Sequence, residues 1–275
     1  MKSQPTLIDP HRAQPRAGAQ FRIRDVVGTP LAMVDYGRAM DAMDDLIRRR
    51  ARGYVCALPV HGVMVARHDD EMRAALERAS LVVPDGMPLV WAANLLGEEL
   101  DDRVYGPELM QRYSDRCAAH GHRVWLYGGR DERSLERLAL SLRRAHPGIQ
   151  IVGGYSPPFR ALTDDEEQRL VERINSDRPD VLWVGIGVPK QEKWMARMRP
   201  RLEVPVMAGV GAAFDFLAGR VPQAPDWMQR RGLEWSYRLA REPRRLLGRY
   251  VRYNPAFMYA VGRQLARERV RGRSS

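Results

Sequence analysis

The chain has little lysine, cysteine or histidine, and these shortages narrow the classes of site it can hold. Only three of its 45 basic residues are lysines: Lys2, Lys190 and Lys193. The two cysteines, Cys56 and Cys117, fall in a predicted strand and a predicted helix, which favours buried thiols in a reducing compartment over a disulfide framework. The six histidines are scattered along the sequence. No metal site is therefore predicted.

Long apolar runs are also missing. No uninterrupted stretch approaches the roughly 18 apolar residues that span a bilayer. Residues 1–22 are rich in Pro, Gln, Arg and Ala and lack the apolar core of a signal peptide, so a disordered tail is predicted there. The 275 residues suffice for one large domain, or for a domain with an appendage.

The common nucleotide-binding fingerprints are incomplete. Gly185-Ile-Gly187 has Lys190 where the third glycine of a dinucleotide fingerprint belongs, and Gly209-Val-Gly211 has Phe214 there. Neither a P-loop pattern nor an Asp-x-Asp pair after an apolar strand occurs. These absences argue against a nicotinamide cofactor, a nucleoside triphosphatase and a metal-held sugar nucleotide. We therefore expect neither a cofactor nor a metal.

Short apolar segments alternate with amphipathic helical patterns along most of the chain. This alternation predicts an α/β fold, a Rossmann-like parallel sheet with helices on both faces. The catalytic domain is predicted over residues 23–220, and residues 221–275 are predicted to form a basic helical appendage. The predicted strands are 54–58, 81–83, 124–127, 149–153, 180–184 and 204–208, after an edge segment at 28–34. The predicted helices include 36–50, 69–79, 88–96, 106–119, 132–145 and 190–198, another that Thr163 caps, and one that ends at Leu217.

The segment Val184–Trp194 carries the clearest chemical signal. Its glycines are expected to turn the chain after a buried strand and to leave amides uncovered, while Pro189 opens a helix at its first position. Such helix starts bind anions, and Lys190 and Lys193 add positive charge, so phosphate is the expected ligand. Gln191 and Glu192 are interpreted as contacts for a sugar or base edge, or as exposed residues of a helix start.

Ligands of parallel sheets bind outside the carboxyl ends of the strands, which selects the candidate site residues. Asp85 is predicted to be a general base, with a plain Asp-Gly turn as the alternative. Arg103 is predicted to bind phosphate, with a solvated side chain as the alternative. His61 is predicted to contact a ligand, with a structural role as the alternative. Asp215 is predicted to be a second carboxylate of the site, or else to take part in packing its helix. The remaining candidates for substrate binding are Gly128, Gly129, Gly185, Gly187, Lys190, Gln191, Glu192 and Gly211.

The net charge of +11 is concentrated at one end of the chain. Residues 220–275 hold fourteen arginines and four acids, whereas the preceding residues are nearly neutral. Helices are predicted at 226–241 and 242–253, and another is predicted to start at Asn254-Pro255, with Asn254 as N-cap and Pro255 as the helix-opening proline. Apolar stripes at helical spacing run through this segment. A basic amphipathic helix of this kind favours an anionic membrane surface. The residues predicted to contact the membrane are Arg244, Arg245, Arg249 and Arg252.

Several motifs occur in one order along the chain. They are Val60-His61-Gly-Val-Met64, Pro84-Asp85-Gly-Met-Pro88, Arg103-Val-Tyr-Gly-Pro-Glu-Leu109, Val184–Trp194, Gly209-Val-Gly-Ala-Ala-Phe-Asp215 and Ala224-Pro-Asp-Trp227 with Gly232-Leu-Glu-Trp235. Together they resemble the WecG/TagA/CpsF family of bacterial glycosyltransferases, over about residues 25–250.

The resemblance implies an inverting, metal-independent transfer of a sugar from a UDP-sugar to a polyprenyl-diphosphate-linked saccharide. It places the enzyme on the inner face of the cytoplasmic membrane, as a cytoplasmic peripheral protein of surface or exopolysaccharide synthesis. It implies that Asp85 is the catalytic base, that Arg103 binds phosphate and that Gln191 lines the site. The basic appendage is implied to hold the enzyme on the membrane and to help complete the site.

The chain departs from the family pattern at one strand end. Many members carry a Thr-x-Asn-like sequence where this chain has Ala57 and Pro59. The loss of a hydroxyl and an amide predicts a different contact there. The sequence Asp85-Gly-Met-Pro-Leu-Val-Trp91 is similar to that of the exopolysaccharide branch of the family. For that branch UDP-glucose is a reasonable donor, and a donor of the N-acetylmannosamine type is the other candidate.

Two other functions compete with this interpretation. A nicotinamide-dependent oxidoreductase would use Gly185 and Gly187 at the pyrophosphate, but its third glycine is missing. A nucleic-acid-binding protein would use the arginine-rich end on phosphate backbones. The apolar stripes of that end would have no partner on a duplex, so no nucleic acid is expected.

Overall fold

The computed structural model describes residues 21–219, 224–225, 228, 234–241 and 243–272. The predicted tail therefore lies outside the described residues, except for Phe21 and Arg22. Arg22 is part of the fold, because its carbonyl accepts a hydrogen bond from the Met33 amide at 2.8 Å. The tail prediction is thus wrong at its last two positions. The predicted boundary at 220 and 221 lies outside the described residues.

A six-stranded parallel sheet forms the centre of the structure, with spatial order β4-β3-β8-β7-β5-β6. The strands are β3 Gly53–Leu58, β4 Leu81–Pro84, β5 Arg123–Gly128, β6 Gln150–Tyr155, β7 Val181–Gly185 and β8 Val206–Gly209. The predicted α/β class with a Rossmann-like parallel sheet is confirmed.

A separate antiparallel hairpin precedes the sheet, formed by β1 Ile23–Val26 and β2 Thr29–Ala32. Its two turn residues, Val27 and Gly28, have φ of 57° and 82°. Positive φ at both positions suits the right-handed twist of a tight hairpin. The sequence predicted only the second strand, because the first is short and carries two charged residues.

Side chains along each strand alternate between two hydrophobic cores. On β3, for example, Cys56 and Leu58 belong to one core, whereas Val55 and Ala57 belong to the other. Successive strand residues point to opposite faces, so a sheet covered on both sides requires apolar residues at nearly every position. This explains why the strands appear in the sequence as continuous apolar runs.

The two cores are covered by different helices. One face is covered by α2 Val60–Ala66, α3 Asp70–Arg78, α4 Met87–Leu95, α7 Asp164–Asp177, α8 Lys190–Met198 and α11 Pro243–Gly272. The other is covered by α1 Tyr36–Arg48, α5 Gly106–His120, α6 Glu132–Ala145 and α9 Ala213–Leu217. The helix α10, Glu234–Arg241, precedes α11.

Most predicted helices lie within two residues of their observed bounds. The helix α7 begins after Thr163 with a full capping box, in which the Thr163 side chain accepts from the Glu166 amide and the Glu166 carboxylate accepts from the Thr163 amide. The short helix α2 was not predicted, because seven residues give too little periodicity to distinguish it from a loop.

The C-terminal helix differs from the prediction at Asn254 and Pro255. The sequence predicts a new helix there, with Asn254 as its N-cap, but α11 continues through Pro255 without a break. An interior proline removes one backbone hydrogen bond and costs about 3 kcal/mol. The cost is offset by packing on both sides, since Leu246 precedes the proline and Phe257 and Val261 follow it, all of them buried.

The helix α11 is attached to the rest of the fold at several points. It packs against α2, and Gln264 bridges to the β1–β2 hairpin. The Gln264 side chain accepts from the Val27 amide at 2.7 Å and donates to the Asp25 carbonyl at 2.9 Å. Arg24 and Glu268 form an ion pair beside it. Among the helices of the described segments, none combines the length and apolar character needed to cross a bilayer.

The packing of β6 against β5 makes a stability prediction. A Cβ on Gly153 would lie 2.1 Å from the indole nitrogen of Trp125, which donates to Asp177 at 2.8 Å. Gly153→Ala should therefore lower the free energy of unfolding by about 1–3 kcal/mol in urea titrations. Gly248→Ala is the control, since Gly248 is an exposed helical residue with open space around it. It should leave the stability equal or higher by up to about 1 kcal/mol. Equal stability of the two variants would contradict this account.

Candidate active site

The carboxyl ends of β3, β4, β7 and β8 meet at one edge of the sheet. Leu58 pairs with Pro84, and Gly209 lies between Cys56 on one side and Val184 on the other. This alignment brings loops that are far apart in sequence to one place. The edge carries most of the predicted site residues, as expected for a parallel sheet.

Asp85 leaves the end of β4 and is held from two neighbouring elements. Its amide donates to the Leu58 carbonyl at 3.0 Å, and its Oδ1 accepts from the Gly106 amide at 2.7 Å. Gly106 is the first residue of α5, so the carboxylate lies at the positive end of that helix. A helix N-terminus stabilises a negative charge. Asp85 is thus a tertiary contact between β4 and α5, and the alternative of a plain Asp-Gly turn does not account for it.

The start of α5 is packed closely against the loop after β8. A Cβ on Gly106 would lie 3.0 Å from the Val210 carbonyl oxygen, so this close approach requires glycine. Just before it, the Tyr105 amide donates to the Tyr36 hydroxyl at 3.0 Å. These contacts fix the backbone that holds Asp85. The carboxylate is therefore positioned by packed elements on either side.

Arg103 lies on the same loop, three residues before the first residue of α5. Its side chain is 9% exposed, and its guanidinium lies 4.3 Å from the centroid of the Tyr105 ring. A cation held over an aromatic face is restricted in orientation and partly desolvated. Next to Arg103, the Val104 amide donates to the Pro84 carbonyl at 2.9 Å, so the backbone beside Arg103 lies against the backbone beside Asp85. The Arg103 side chain is largely buried, unlike the solvated alternative.

Close backbone packing accounts for two of the glycines that were predicted to bind substrate. A Cβ on Gly128 would lie 2.6 Å from the Gly185 carbonyl oxygen, and a Cβ on Gly185 would lie 2.2 Å from the Phe214 ring. Gly128 also has φ of +143°, and the Gly129 amide donates to the Gly185 carbonyl at 3.4 Å. Because these glycines have no side chain, the chain segments at the ends of β5 and β7 and the helix α9 can pack directly against one another. Gly187 differs, because its φ is +83° and the space around its Cβ position is open.

The helix after β7 spans the predicted residues 190–198, but Pro189 is its N-cap and not its first helical residue, as the segment Val184–Trp194 had suggested. The two lysines of this segment have separate environments. Lys190 is exposed at the helix start, as an anion contact requires. Lys193 instead forms ion pairs with Asp69 at 2.7 Å and Glu71 at 3.0 Å on the α3 side. The expectation that Lys193 adds positive charge to the phosphate site is wrong, because its charge is directed to these carboxylates.

Gln191 and Glu192 are completely buried, each with 0% exposure. The alternative in which they are exposed residues of a helix start is wrong. The Gln191 side chain accepts from the Gly211 amide at 3.1 Å and donates to Glu192 Oε1 at 2.9 Å. Gln191 thus ties the loop after β7 to the loop after β8. Their burial could not be seen in the sequence, because the helical pattern alone does not reveal that β3 and β8 cover this turn.

Glu192 is the buried carboxyl group of this edge. Its Oε2 has no hydrogen-bond partner among the described residues. Burial raises the pKa of Glu192 from 4.5 to about 7, opposed by the hydrogen bond from Gln191 and assisted by the nearby Asp85 carboxylate. The group is therefore largely protonated below neutral pH, in contrast to an ordinary glutamate.

Asp215 lies on α9 and forms an ion pair with Arg130, whose Nε is 3.4 Å from its Oδ1. The pair joins the loop after β5 to α9, the helix that follows β8. Arg130 was missed by sequence reasoning, although it follows Gly128-Gly129 at a strand end, which was the available signal. Both side chains remain partly exposed, so the pair is accessible from this edge.

His61 lies in the first turn of α2, and its ring centroid is 6.3 Å from that of Tyr253 on α11. The C-terminal helix therefore reaches the residue that follows β3 at the sheet edge. This juxtaposition connects the appendage with the candidate site. It depends on tertiary packing between segments almost two hundred positions apart, which no local pattern could predict.

The outward surface of α11 is both basic and apolar. Arg244 and Arg252 are exposed and Arg249 is half-buried, whereas the side chain of Arg245 lies outside the described residues. Several large apolar side chains are exposed beside them: Leu247 by 52%, Val251 by 65%, Met258 by 72% and Tyr259 by 68%.

Groups of three or more His, Cys, Asp or Glu side chains able to hold a metal are absent from the described part of the chain. Both cysteines are free and buried. Desolvation raises the pKa of the Cys56 and Cys117 thiols, so both are held in the neutral form. They are structural residues of the two cores.

Comparison with known proteins identifies the family to which the chain is related. A family model described as the glycosyl transferase WecG/TagA/CpsF family matches residues 24–271. A protein of Bacillus spizizenii, named N-acetylglucosaminyldiphosphoundecaprenol N-acetyl-beta-D-mannosaminyltransferase, is 31% identical over 180 residues, covering 66% of this chain and 68% of its own length. A protein of Staphylococcus aureus with the same name is 31% identical over 188 residues, covering 68% and 71%.

The raised pKa of Glu192 predicts how stability depends on pH. Between pH 4.5 and about 7 the folded chain retains a proton that the unfolded chain releases, so the free energy of unfolding falls as pH rises through this window and then levels. Glu192→Gln removes this titration. From pH 5 to pH 8, the free energy of unfolding of the wild type, measured in urea titrations, should fall by on the order of 2 kcal/mol relative to that of the variant. Parallel pH dependences for the two proteins would show that Glu192 is not protonated in the folded state.

Proposed function

Because the chain belongs to the WecG/TagA/CpsF family of glycosyl transferases, we propose that it transfers a sugar from a UDP-sugar to a saccharide carried on a polyprenyl diphosphate. The observation that carries the proposal is Asp85, whose carboxylate is held at the sheet edge by the first amide of α5. Arg103 precedes that helix by three positions and supplies a nearby positive charge. The combination suits displacement of a nucleoside diphosphate by a hydroxyl group.

Asp85 acts as the general base in this proposal. The acceptor hydroxyl must lose its proton as it attacks the anomeric carbon, and one positioned carboxylate suffices for that. The bond from the Gly106 amide fixes Oδ1 at 2.7 Å and orients the group. The acceptor oxygen attacks from the face opposite the departing UDP. It forms a bond to the anomeric carbon while the bond from that carbon to the UDP phosphate oxygen breaks, so the anomeric configuration is inverted.

The charge on departing UDP is offset by groups on the same edge. Arg103, the N-terminus of α5 and the exposed Lys190 are the available sources of positive charge. Guanidinium groups and backbone amides stabilise a leaving diphosphate without a metal ion. We accordingly propose a metal-independent reaction that uses no cofactor, with the UDP-sugar as a substrate.

The donor sugar is proposed from two different observations. The relatives' names give N-acetylmannosamine as the sugar they transfer and N-acetylglucosaminyldiphosphoundecaprenol as the acceptor. In this chain, Ala57 and Pro59 replace the hydroxyl and amide residues of the family pattern. The donors that follow are UDP-N-acetylmannosamine from the relatives and UDP-glucose from the sequence of this chain, and a donor panel decides between them.

The acceptor's lipid is expected to remain in the bilayer, so the enzyme must bind at the membrane surface. The outward face of α11 supports this, since it presents arginines and apolar side chains together. Each basic residue near anionic lipid contributes about 1 kcal/mol. We propose that this face docks on the inner surface of the cytoplasmic membrane and that the packing of Tyr253 near His61 places the site beside the lipid.

Replacing the base should separate binding from turnover. Asp85→Asn retains an oxygen for the Gly106 amide but does not accept a proton, so turnover should fall about a hundredfold or more. UDP affinity, measured by calorimetry, should stay within about threefold of wild type. The assay is acceptor-dependent UDP release in vesicles that carry polyprenyl-diphosphate saccharides, across a panel of UDP-sugars.

The matched control is Asp165→Asn, an exposed carboxylate in the first turn of α7. It should behave as wild type. Near-normal turnover of Asp85→Asn would remove Asp85 as the base. If wild type releases no UDP with any donor of the panel, the proposed substrates are wrong.

The docking face can be tested without removing α11, whose buried side contributes to the core. Leu247, Val251 and Met258 follow helical spacing on one exposed stripe, separate from the buried stripe. Changing all three to serine should weaken binding to vesicles with anionic lipid about tenfold or more in sedimentation assays. Leu140→Ser on α6 is the control, because Leu140 is 51% exposed. Undiminished vesicle binding of the triple variant would disprove docking through this face.

A further inference from the structure

Glu192 is a buried carboxyl group without an ionic partner. It is 0% exposed, no salt bridge to it occurs among the described residues, and its Oε2 has no hydrogen-bond partner there. A buried carboxylate is normally paired or held by several donors, because burial of an unpaired charge is costly. Among the described residues, the Glu192 carboxyl group accepts from the Gln191 side chain, at 2.9 Å on Oε1, and from its own backbone amide, while Oε2 is left without a donor. A neutral carboxyl group fits this environment, whereas a charged one does not.

The titratable groups that interact electrostatically with Glu192 come from two strands. Asp85 at the end of β4 raises its pKa. Tyr54 and Cys56 on β3 also interact with it, and desolvation raises the pKa of both groups, so they remain neutral. Asp85 is thus the neighbour whose negative charge disfavours ionisation of the buried Glu192.

The bond from Gln191 to Glu192 continues into the loop after β8. Gln191 uses its amide nitrogen on Glu192 and its oxygen on the Gly211 amide, at 3.1 Å. This arrangement fixes the orientation of the Gln191 amide, because only its oxygen accepts the Gly211 proton. Gly211 itself has φ of +54°, a conformation that suits glycine. The chain of bonds therefore sets the position of the loop that faces the start of α5.

We propose that Glu192 is a positioning residue of the active site: as a neutral acid it holds Gln191 against Gly211 and leaves Asp85 as the negatively charged carboxylate of this edge. Because it is fully buried, it acts through Gln191 and is not the substrate contact that the sequence predicted. The inference rests on the proposed function only in taking a UDP-linked donor as the ligand.

Ionisation of Glu192 would affect the site in two ways. A buried carboxylate with one oxygen left without a donor gains by moving toward water, which would release Gln191 and loosen the Gly211 loop. A second negative charge behind Asp85 would also repel the diphosphate of the donor. Since the pKa of Glu192 is about 7, both effects should develop between pH 6 and pH 8. Over that interval the neutral fraction of the group falls about tenfold.

The test compares the full chain with Glu192→Gln, which has the same shape, keeps an oxygen for Gln191 and does not ionise. Amide exchange at Gly211, measured by NMR without ligand, reports the positioning directly. UDP affinity, measured by calorimetry at pH 6 and pH 8, reports its consequence for binding. Glu136→Gln, an exposed glutamate on α6, is the control for the loss of a carboxylate elsewhere.

In wild type and Glu136→Gln, protection of Gly211 should fall about fivefold or more from pH 6 to pH 8 after correction for intrinsic exchange. The dissociation constant for UDP should rise by a similar factor. In Glu192→Gln both quantities should change by less than about twofold. Glu192→Met, which is similar in size but lacks the oxygen, should lose Gly211 protection at both pH values. If Gly211 is protected in Glu192→Gln but not in Glu192→Met, the hydrogen bond from Gln191 is required, and filling the space with a side chain of similar size is not enough.

The possible failures are distinguishable. The same pH dependence of Gly211 protection in wild type and Glu192→Gln would overturn the proposal, whether or not UDP binds. Normal protection in Glu192→Met would overturn it too. If protection follows the prediction but no variant binds UDP, the positioning role stands and the proposed donor is wrong.

Discussion

The arrangement of the candidate site depends on how closely the carboxyl ends of β5, β7 and β8 approach one another. Gly128 packs on the Gly185 carbonyl, and Gly185 packs on the Phe214 ring, at separations that no side chain would allow. Interiors at normal packing density do not yield to an added methyl group without shifting the backbone. The close contact sets where the loops after these strands emerge. Gln191 then joins two of those loops by hydrogen bonds to Gly211 and Glu192.

A second consequence of this packing is a division of roles between two carboxyl groups. Asp85 is held by an amide at a helix N-terminus, a setting that favours the charged form. Glu192 lies in a desolvated interior with no donor to its Oε2, a setting that favours the neutral form. The same functional group thus acquires opposite properties a short distance along the sheet edge. Contrasting environments for two neighbouring carboxyl groups are characteristic of active sites.

The C-terminal helix combines a structural with a proposed functional role. Its inner side buries Leu246, Phe257 and Val261, and Gln264 anchors it to the β1–β2 hairpin. Its outer side leaves arginines and large apolar residues exposed. An enzyme that acts on a membrane-held substrate benefits when its docking surface is rigidly connected to its site. Continuous packing through Pro255 provides that connection, because a flexible tail would transmit no orientation to the site.

The sequence by itself determined the α/β class, most helix and strand positions and the strand-end location of the site, because apolar periodicity and turn residues act locally. It could also indicate Asp85 and Arg103 through the resemblance. Only the tertiary structure decided that Gln191 and Glu192 are buried, that Lys193 pairs with Asp69, and that α11 crosses Pro255 to reach His61. These features depend on contacts between distant segments. Burial and charge pairing are properties of the assembled neighbourhood, which no single stretch of chain contains.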